Sequence, residues 1–218
     1  MYLYEEMFLL ALNDQKGQIS NSVNTQLHYG LSGAILSDLV LLERINLDDD
    51  KHFIILSLNP INDSLLDDAL VTISNSAKAH KAGFWVKHMA DSLKKLSRRV
   101  GDKLVDNNVL TRENKRYFWV MPSVEYPNSE ATAKYWVKQW LREAVLIDNP
   151  QNKNPHALAL LGLVRACDML EFVFTRDELK TANRQIDQLV MQDEIGKSVQ
   201  EALDAIEAAA IKAINAED

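Results

Sequence analysis

The sequence has very little cysteine and glycine: Cys167 is the single cysteine among 218 residues, and there are only seven glycines. One cysteine excludes an internal disulfide framework and is typical of proteins from a reducing compartment. No apolar run reaches the roughly 18 to 20 residues that a membrane-spanning helix needs. Glu5 and Glu6 stand where a signal peptide carries positive charge. We therefore expect a cytoplasmic protein that does not cross a membrane.

The sequence also lacks the motifs of metal sites, phosphate-binding loops and nucleophilic catalysis. There is no CxxC pair and no HExxH motif, and the histidines lie far apart, at His28, His52, His80, His88 and His156. Gly30-Leu-Ser-Gly33 is too short for a phosphate-binding loop. A lone cysteine in a helical pattern is most often a small buried side chain, which is how we interpret Cys167. We expect no metal, no cofactor and no enzymatic activity.

Apolar residues recur mostly at helical spacing, which predicts a mainly α-helical fold. We expect residues 1–218 to form a single-domain helical bundle with two small β-hairpins. The predicted helices cover about 1–12 (amphipathic), 27–44, 65–74, 84–107, 129–147, 155–173, 176–192 and 194–215. The first hairpin is predicted around Asp48-Asp49-Asp50. The second covers 109–121 and is predicted to turn at Glu113-Asn114-Lys115.

Positive charge is concentrated in Lys78–Arg116, which contains eleven basic and four acidic residues, a net charge of +7 in a chain of −7. In the helix predicted at 84–107, an apolar stripe is expected to be buried (Trp85, Met89, Leu93, Leu96, Val100 and Leu104). Lys87, Lys94 and Arg98 fall on the opposite side of that helix, with Lys95 and Arg99 as neighbours. A segregated basic face on an acidic protein indicates an anionic partner.

The basic segment leads directly into three aromatic residues, in the order Lys115-Arg116-Tyr117-Phe118-Trp119. Successive side chains of a strand point to opposite faces, so at least one of these aromatics is expected to point away from the core. Cations pair with anionic headgroups while Phe and Trp favour the interfacial layer of a bilayer. We interpret the chain as a peripheral membrane protein. Its headgroup-binding residues are predicted to be Lys87, Lys94, Lys95, Arg98 and Arg99, and its membrane or oligomer hairpin Lys115, Arg116, Tyr117, Phe118 and Trp119.

Two other classes of function stay open at this point. A helix followed by a basic hairpin is also the outline of a winged-helix nucleic-acid binder, which would use Arg98, Arg99, Lys115 and Arg116. The acidic net charge of the chain and the aromatics after the hairpin make nucleic acid the weaker alternative. The aromatic hairpin is also compatible with a homo-oligomer or with a protein client.

Four blocks of the sequence resemble the Golgi phosphoprotein 3 family of peripheral membrane proteins. The first is Tyr4–Gly17, an acidic-apolar helix with a glycine turn, and the second is Tyr29–Leu47, which includes the Gly-Leu-x-Gly element. The third is the proline-led Pro60–Leu70. The fourth combines Leu104–Leu110 with Arg165–Glu171. The blocks keep the order that they have in the family and span nearly the whole chain.

The resemblance implies one mainly α-helical domain, no enzymatic activity and binding to phosphatidylinositol 4-phosphate. It also implies that the hairpin inserts into membrane or mediates self-association, and that this is a minimal member, of bacterial type, without the long N-terminal arm. Several positions of the family's lipid pocket differ here. Asn21 and Ser22 stand where the family has a loop aromatic, and Ser32 stands where it has an arginine. Lys94 and Ser97 match its two arginines on the basic helix.

Overall fold

A computed structural model describes residues 1–14, 17–93, 95–117, 121–126, 132–147, 154–190 and 197–216. Most of these residues are helical, and the only strands among them form two short hairpins. The mainly α-helical fold predicted from the sequence is therefore confirmed. The helices, in chain order, are α1 (Leu3–Ala11), α2 (Asn24–Leu41), α3 (Ser64–Ser74), α4 (Ala82–Ser92), α5 (Leu96–Asp106), α6 (Thr132–Leu146), α7 (Pro155–Ala166), α8 (Arg176–Val190) and α9 (Lys197–Ile214).

Helix α2 lies at the centre of the bundle and packs against α1, α4, α7 and α9. Two glycines of α2 permit this close packing. A Cβ atom on Gly30 would lie 2.5 Å from Cys167 Sγ and 2.7 Å from Met7 Cε, both impossible separations. A Cβ atom on Gly33 would lie 2.8 Å from Leu163 Cδ2. The helices on either side of α2 therefore approach its backbone directly.

Helix α1 is buried on every side, so the prediction of an amphipathic helix at this position is wrong. All of its residues are buried, including Glu5 and Glu6. Buried carboxylates need hydrogen-bonding or charged partners, and each of these has one. Glu5 Oε2 accepts a hydrogen bond from Tyr2 N–H at 2.9 Å, and Glu6 Oε2 lies 2.6 Å from His156 Nε2. The acidic residues therefore fit inside the bundle because other elements supply polar partners.

Buried aspartates cap the starts of two helices. Asp38 of α2 accepts hydrogen bonds from Leu3 N–H at 3.0 Å and Tyr4 N–H at 3.3 Å, at the start of α1. Burial raises the pKa of Asp38 well above its ordinary value, and the two backbone N–H groups oppose that rise. Asp63 caps α3 by accepting from the N–H groups of Leu65 and Leu66. Each carboxylate satisfies two N–H groups that have no partner within their own helix.

The two hairpins are antiparallel pairs, and one of them differs from its prediction. Strands β1 (Ile45–Leu47) and β2 (Phe53–Ile55) pair around the predicted acidic turn. Strands β3 (Glu113–Tyr117) and β4 (Met121–Glu125) pair in a register that places Glu113 opposite Glu125 and Tyr117 opposite Met121. The predicted turn at Glu113-Asn114-Lys115 is therefore wrong, because these residues are strand residues with partners on β4. Residues 118–120, between the two strands, lie outside the described residues.

The long basic helix predicted at 84–107 is two helices with a break between them. Helix α4 ends at Ser92 and α5 begins at Leu96, and Lys95 adopts a left-handed conformation with φ 56° and ψ 36°. A lysine in this conformation interrupts the helical path. The apolar stripe is nevertheless buried as predicted, from Trp85 in α4 to Leu104 in α5. The break therefore changes the direction of the basic side chains without changing which residues form the core.

Candidate functional site

A pocket of about 720 Å³ opens where the α4–α5 break meets the beginning of α2. One wall comes from the end of α4 and the break, and a second wall from the first turn of α5. The third wall is the first turns of α2. The lining residues are Asn24, His28, Ala90, Asp91, Leu93, Lys95, Leu96, Ser97 and Arg98. We call this cavity the break pocket.

The backbone of α5 contributes to the electrostatics of the break pocket. The first N–H groups of a helix have no intrahelical partner and carry the positive end of the helix dipole. Lys95 is the N-cap residue of α5 and makes no side-chain cap. Leu96, Ser97 and Arg98 are the first residues of the helix, and all three line the pocket. The pocket wall therefore combines a helix N-terminus with two cationic side chains, an arrangement that attracts anions.

Lys95 and Arg98 are the cations of the break pocket. Both side chains are exposed. Lys95 makes no ion pair with any residue that the structure describes. Arg98 Nε lies 3.5 Å from Asp102 Oδ2, a surface pair between two solvated side chains. Such surface pairs contribute about 0 to 1 kcal/mol to stability, so Arg98 can leave Asp102 and bind an external anion. Asp91 is the acidic residue of the lining and limits the net positive charge there.

The α2 wall supplies polar groups that were not predicted from the sequence to belong to a binding site. Asn24 and His28 lie one helical turn apart and both face the break pocket. The imidazole ring of His28 packs on the ring of Tyr29, with 4.3 Å between their centroids. Ser32, one turn further, is fully buried and its hydroxyl donates to the backbone carbonyl of His28 at 2.8 Å. Ser32 therefore contributes no group to the pocket, while Ser97 is part of the lining.

The structure separates the five residues predicted to bind headgroups. Lys95 and Arg98 line the break pocket, and Lys94 lies outside the described residues. Lys87 is exposed on α4 and lies outside the pocket lining. Arg99 also lies outside the pocket lining, and its guanidinium pairs with Asp68 of α3 at 2.5 Å. The expectation of one continuous basic helix face is wrong because α4 ends before α5 begins.

The basic segment is also less positively charged at its surface than its composition indicates. Lys103 points inward: its ammonium group pairs with Glu5 Oε1 at 3.3 Å and also pairs with Asp63. Its Nζ donates to the hydroxyl of Tyr4, whose ring centroid lies 5.0 Å away. Arg112 pairs with Asp102 at 2.9 Å. Lys103 is thus neutralised by acids from distant parts of the chain, and Arg112 by an acid of the basic segment itself.

The predicted membrane or oligomer hairpin is described only in part. Lys115, Arg116 and Tyr117 lie on β3, where the backbone alone is described, and Phe118 and Trp119 lie outside the described residues. The base of the hairpin is well anchored. Tyr126, directly after β4, is buried against α5, where a Cβ atom on Gly101 would lie 2.4 Å from its ring. Whether the hairpin aromatics contact a membrane stays a prediction.

Other candidate groups carry no chemistry in this arrangement. Cys167 is fully buried beside Gly30, and burial raises the pKa of its thiol to about 12. Within the described ranges, His, Cys, Asp and Glu side chains nowhere gather into a group able to hold a metal ion. The described helices include none with the length and hydropathy to cross a bilayer. The break pocket is thus the site whose charges and polar groups suit binding of an external anion.

Comparison with known proteins gives two findings. The family model described as Golgi phosphoprotein 3 (GPP34) matches residues 3–206. The chain is also similar to the vacuolar protein sorting-associated protein 74 of Eremothecium gossypii, with 27% identity over 158 residues. That alignment covers 63% of this chain and 46% of the relative, so the chain matches slightly less than half the length of that protein.

Proposed function

Because the chain belongs to the Golgi phosphoprotein 3 (GPP34) family, we propose that it is a peripheral membrane protein without enzymatic activity that binds anionic phospholipid headgroups. The observation that carries the proposal is the break pocket. It joins Lys95, Arg98 and the uncapped start of α5 in one cavity. Anionic lipid surfaces attract basic groups with about 1 kcal/mol per cation. Attachment through so few cations is therefore expected to be reversible and sensitive to salt.

We propose a headgroup that carries a phosphate monoester, with phosphatidylinositol 4-phosphate as the candidate that the family resemblance implies. A monoester phosphate carries more charge than the diester of an ordinary phospholipid and offers more acceptor oxygens. Those oxygens suit the N–H groups of α5, the fork of Arg98 and the ammonium group of Lys95. Asn24 and His28 on the opposite wall offer further donors to an inositol hydroxyl or to the phosphate.

Liposome flotation tests the proposal. Neutral vesicles, vesicles with a generic anionic lipid and vesicles with phosphatidylinositol 4-phosphate are compared at low and at physiological salt. We expect flotation with the phosphoinositide to persist at the higher salt. Flotation that depends only on total negative charge would reduce the proposal to non-selective attraction. Absence of flotation with every vesicle would contradict it.

A charge-matched pair of variants tests the role of the break pocket. Lys95→Gln/Arg98→Gln removes two cations of the pocket, and Lys78→Gln/Lys81→Gln removes two exposed cations outside it. We expect the first variant to bind phosphoinositide vesicles about 30-fold more weakly, from about 1 kcal/mol per cation. The second variant is expected to lose much less of its affinity for these vesicles. Equal losses would show that a diffuse basic surface binds the lipid, and the pocket would not be the site.

A further inference from the structure

Two adjacent aromatic side chains on α6 are exposed to solvent. Tyr135 and Trp136 are 56% and 59% exposed, against 42% for Phe84 on α4. Their rings form an edge-to-face pair with 5.6 Å between centroids and 73° between planes. The next residue, Val137, is buried, so α6 presents these two rings on the side away from the core. Aromatic side chains exposed to this extent commonly mark a contact surface.

The described part of segment 12–24 (residues 12–14 and 17–24) contacts both α6 and the base of the hairpin. On one side it holds the first turns of α6: Lys134 Nζ donates to the carbonyl oxygen of Leu12, and Lys138 Nζ lies 3.4 Å from Asp14 Oδ2. On the other side it holds the base of the β3–β4 hairpin. Tyr126 N–H donates to Gly17 O at 2.8 Å. The amide of Gln18 donates to Glu125 Oε1 at 2.9 Å. Helix α6, which carries the aromatic pair, and the hairpin base therefore contact residues that are close together in the chain.

The same segment continues into the break pocket. It ends at Asn24, the first residue of α2, which lines the pocket. The hairpin base also contacts α5, the helix whose first turn forms another pocket wall, through the packing of Tyr126 on Gly101. The pocket, the hairpin base and the aromatic pair are thus attached to one stretch of the chain.

We infer that Tyr135 and Trp136 form an interfacial anchor that enters the boundary between headgroups and acyl chains of a bilayer. Tyr and Trp are enriched at this depth because their rings are apolar while their O–H and N–H groups reach polar lipid atoms. The inference rests on the proposed membrane binding and adds a contact outside the pocket and the hairpin. The anchor supplies hydrophobic attachment that salt does not screen, in addition to the electrostatic attraction of the break pocket.

The area of the pair argues against a second copy of the chain as the occupant. An aromatic side chain buries about 150 to 250 Å² when fully covered. A stable dimer interface buries about 1,000 Å² or more. Tyr135 and Trp136 are already partly covered, and Lys138 beside them carries charge and pairs with Asp14. A bilayer requires no such minimum area, since each ring partitions independently.

The test compares Tyr135→Ser/Trp136→Ser with Phe84→Ser, which removes an exposed aromatic from α4. Partition into phosphoinositide vesicles is measured at low and at physiological salt, with circular dichroism to verify folding. We expect the α6 variant to partition at least tenfold more weakly at both salt concentrations. The reason is that it lacks the apolar ring area that membrane binding would remove from water. The Phe84→Ser control is expected to change partition less than about twofold. Quenching of tryptophan fluorescence by brominated lipid is expected to fall in Trp136→Phe, because the quenched ring is then absent.

The possible results separate this inference from the proposed function. If the unchanged chain does not bind these vesicles, both are overturned. If the unchanged chain binds and the α6 variant binds equally well, the anchor alone is overturned. Equal losses in the α6 variant and in Phe84→Ser would also overturn it, since the effect would then be unspecific. If the α6 variant has a lower mass in light scattering than the unchanged chain and partitions equally well, the aromatic pair is a contact between copies of the chain. That result would contradict the inference.

Discussion

Replacement of Lys103 by methionine tests how the interior of the bundle tolerates its buried acids. Lys103 is only 22% exposed, and its partners Glu5 and Asp63 are 7% and 2% exposed. Methionine keeps the apolar stem but removes the ammonium group, leaving two buried carboxylates without their cation. Removing one partner of a buried ion pair costs about 3 to 5 kcal/mol. We expect a loss of unfolding free energy near the lower end of this range. Lys103 is partly exposed, and Tyr4 O–H still donates to Asp63 at 2.7 Å in the variant.

The assay is urea unfolding at pH 7, followed by circular dichroism. We expect Lys103→Met to lower the free energy of unfolding by about 3 kcal/mol at pH 7. Lys87→Met, at an exposed position of α4, is the control and is expected to stay within about 0.5 kcal/mol. A loss below about 1 kcal/mol would refute the reasoning.

Three further predictions concern packing, reactivity and pH dependence. Gly101→Ala places a methyl group within 2.4 Å of the Tyr126 ring and is expected to cost about 1 to 3 kcal/mol in thermal unfolding. An unchanged melting temperature would contradict that packing. Burial raises the pKa of the Cys167 thiol to about 12, so we expect Cys167 to react with a thiol reagent at pH 8 only after denaturation. Rapid labelling of the folded chain would show otherwise. Arg142 lowers the pKa of Glu178 from 4.5 to about 2, so this pair stabilises the fold above pH 4.5 and is lost as the pH falls towards 2. Melting curves should show that Glu178→Gln is less stable than the unchanged chain at pH 7 and that this difference disappears near pH 2; a constant difference would exclude the mechanism.

Periodicity in the sequence was sufficient to predict most of the helices. The apolar stripe from Trp85 to Leu104 is buried as expected, because helical spacing reports which side chains face a core. The same stripe concealed the break between α4 and α5. Leu93 and Leu96 are both buried, and neither glycine nor proline marks the interruption at Lys95. A helix break that contains neither glycine nor proline leaves the spacing of the apolar residues almost unchanged. The apolar pattern alone therefore favours one long helix.

The candidate site was less predictable than the fold because it depends on contacts between distant parts of the chain. Composition does not show that Lys103 pairs with Asp63, the cap of α3, or that Arg99 pairs with Asp68 of α3. Nothing near Lys103 in the sequence reveals these acids. His28 likewise enters the break pocket only because α2 packs beside the start of α5. Charge patterns therefore indicated the segment that contributes Lys95 and Arg98 to the break pocket, while tertiary packing decided which of its cations are paired with acids.

The break between α4 and α5 has a consequence for how the binding site tolerates sequence change. A continuous helix at this position would present only side chains to an anion, and each replacement would remove part of its attraction. The interruption at Lys95 instead places the first residues of α5 in the pocket wall, and every amino acid except proline carries the same backbone N–H group. Mutation of Ser97 or Arg98 leaves those groups in place as long as α5 begins at the same residue. In the proposed function, part of the anion affinity therefore comes from backbone groups, and replacement of Ser97 or Arg98 is expected to weaken anion binding without abolishing it.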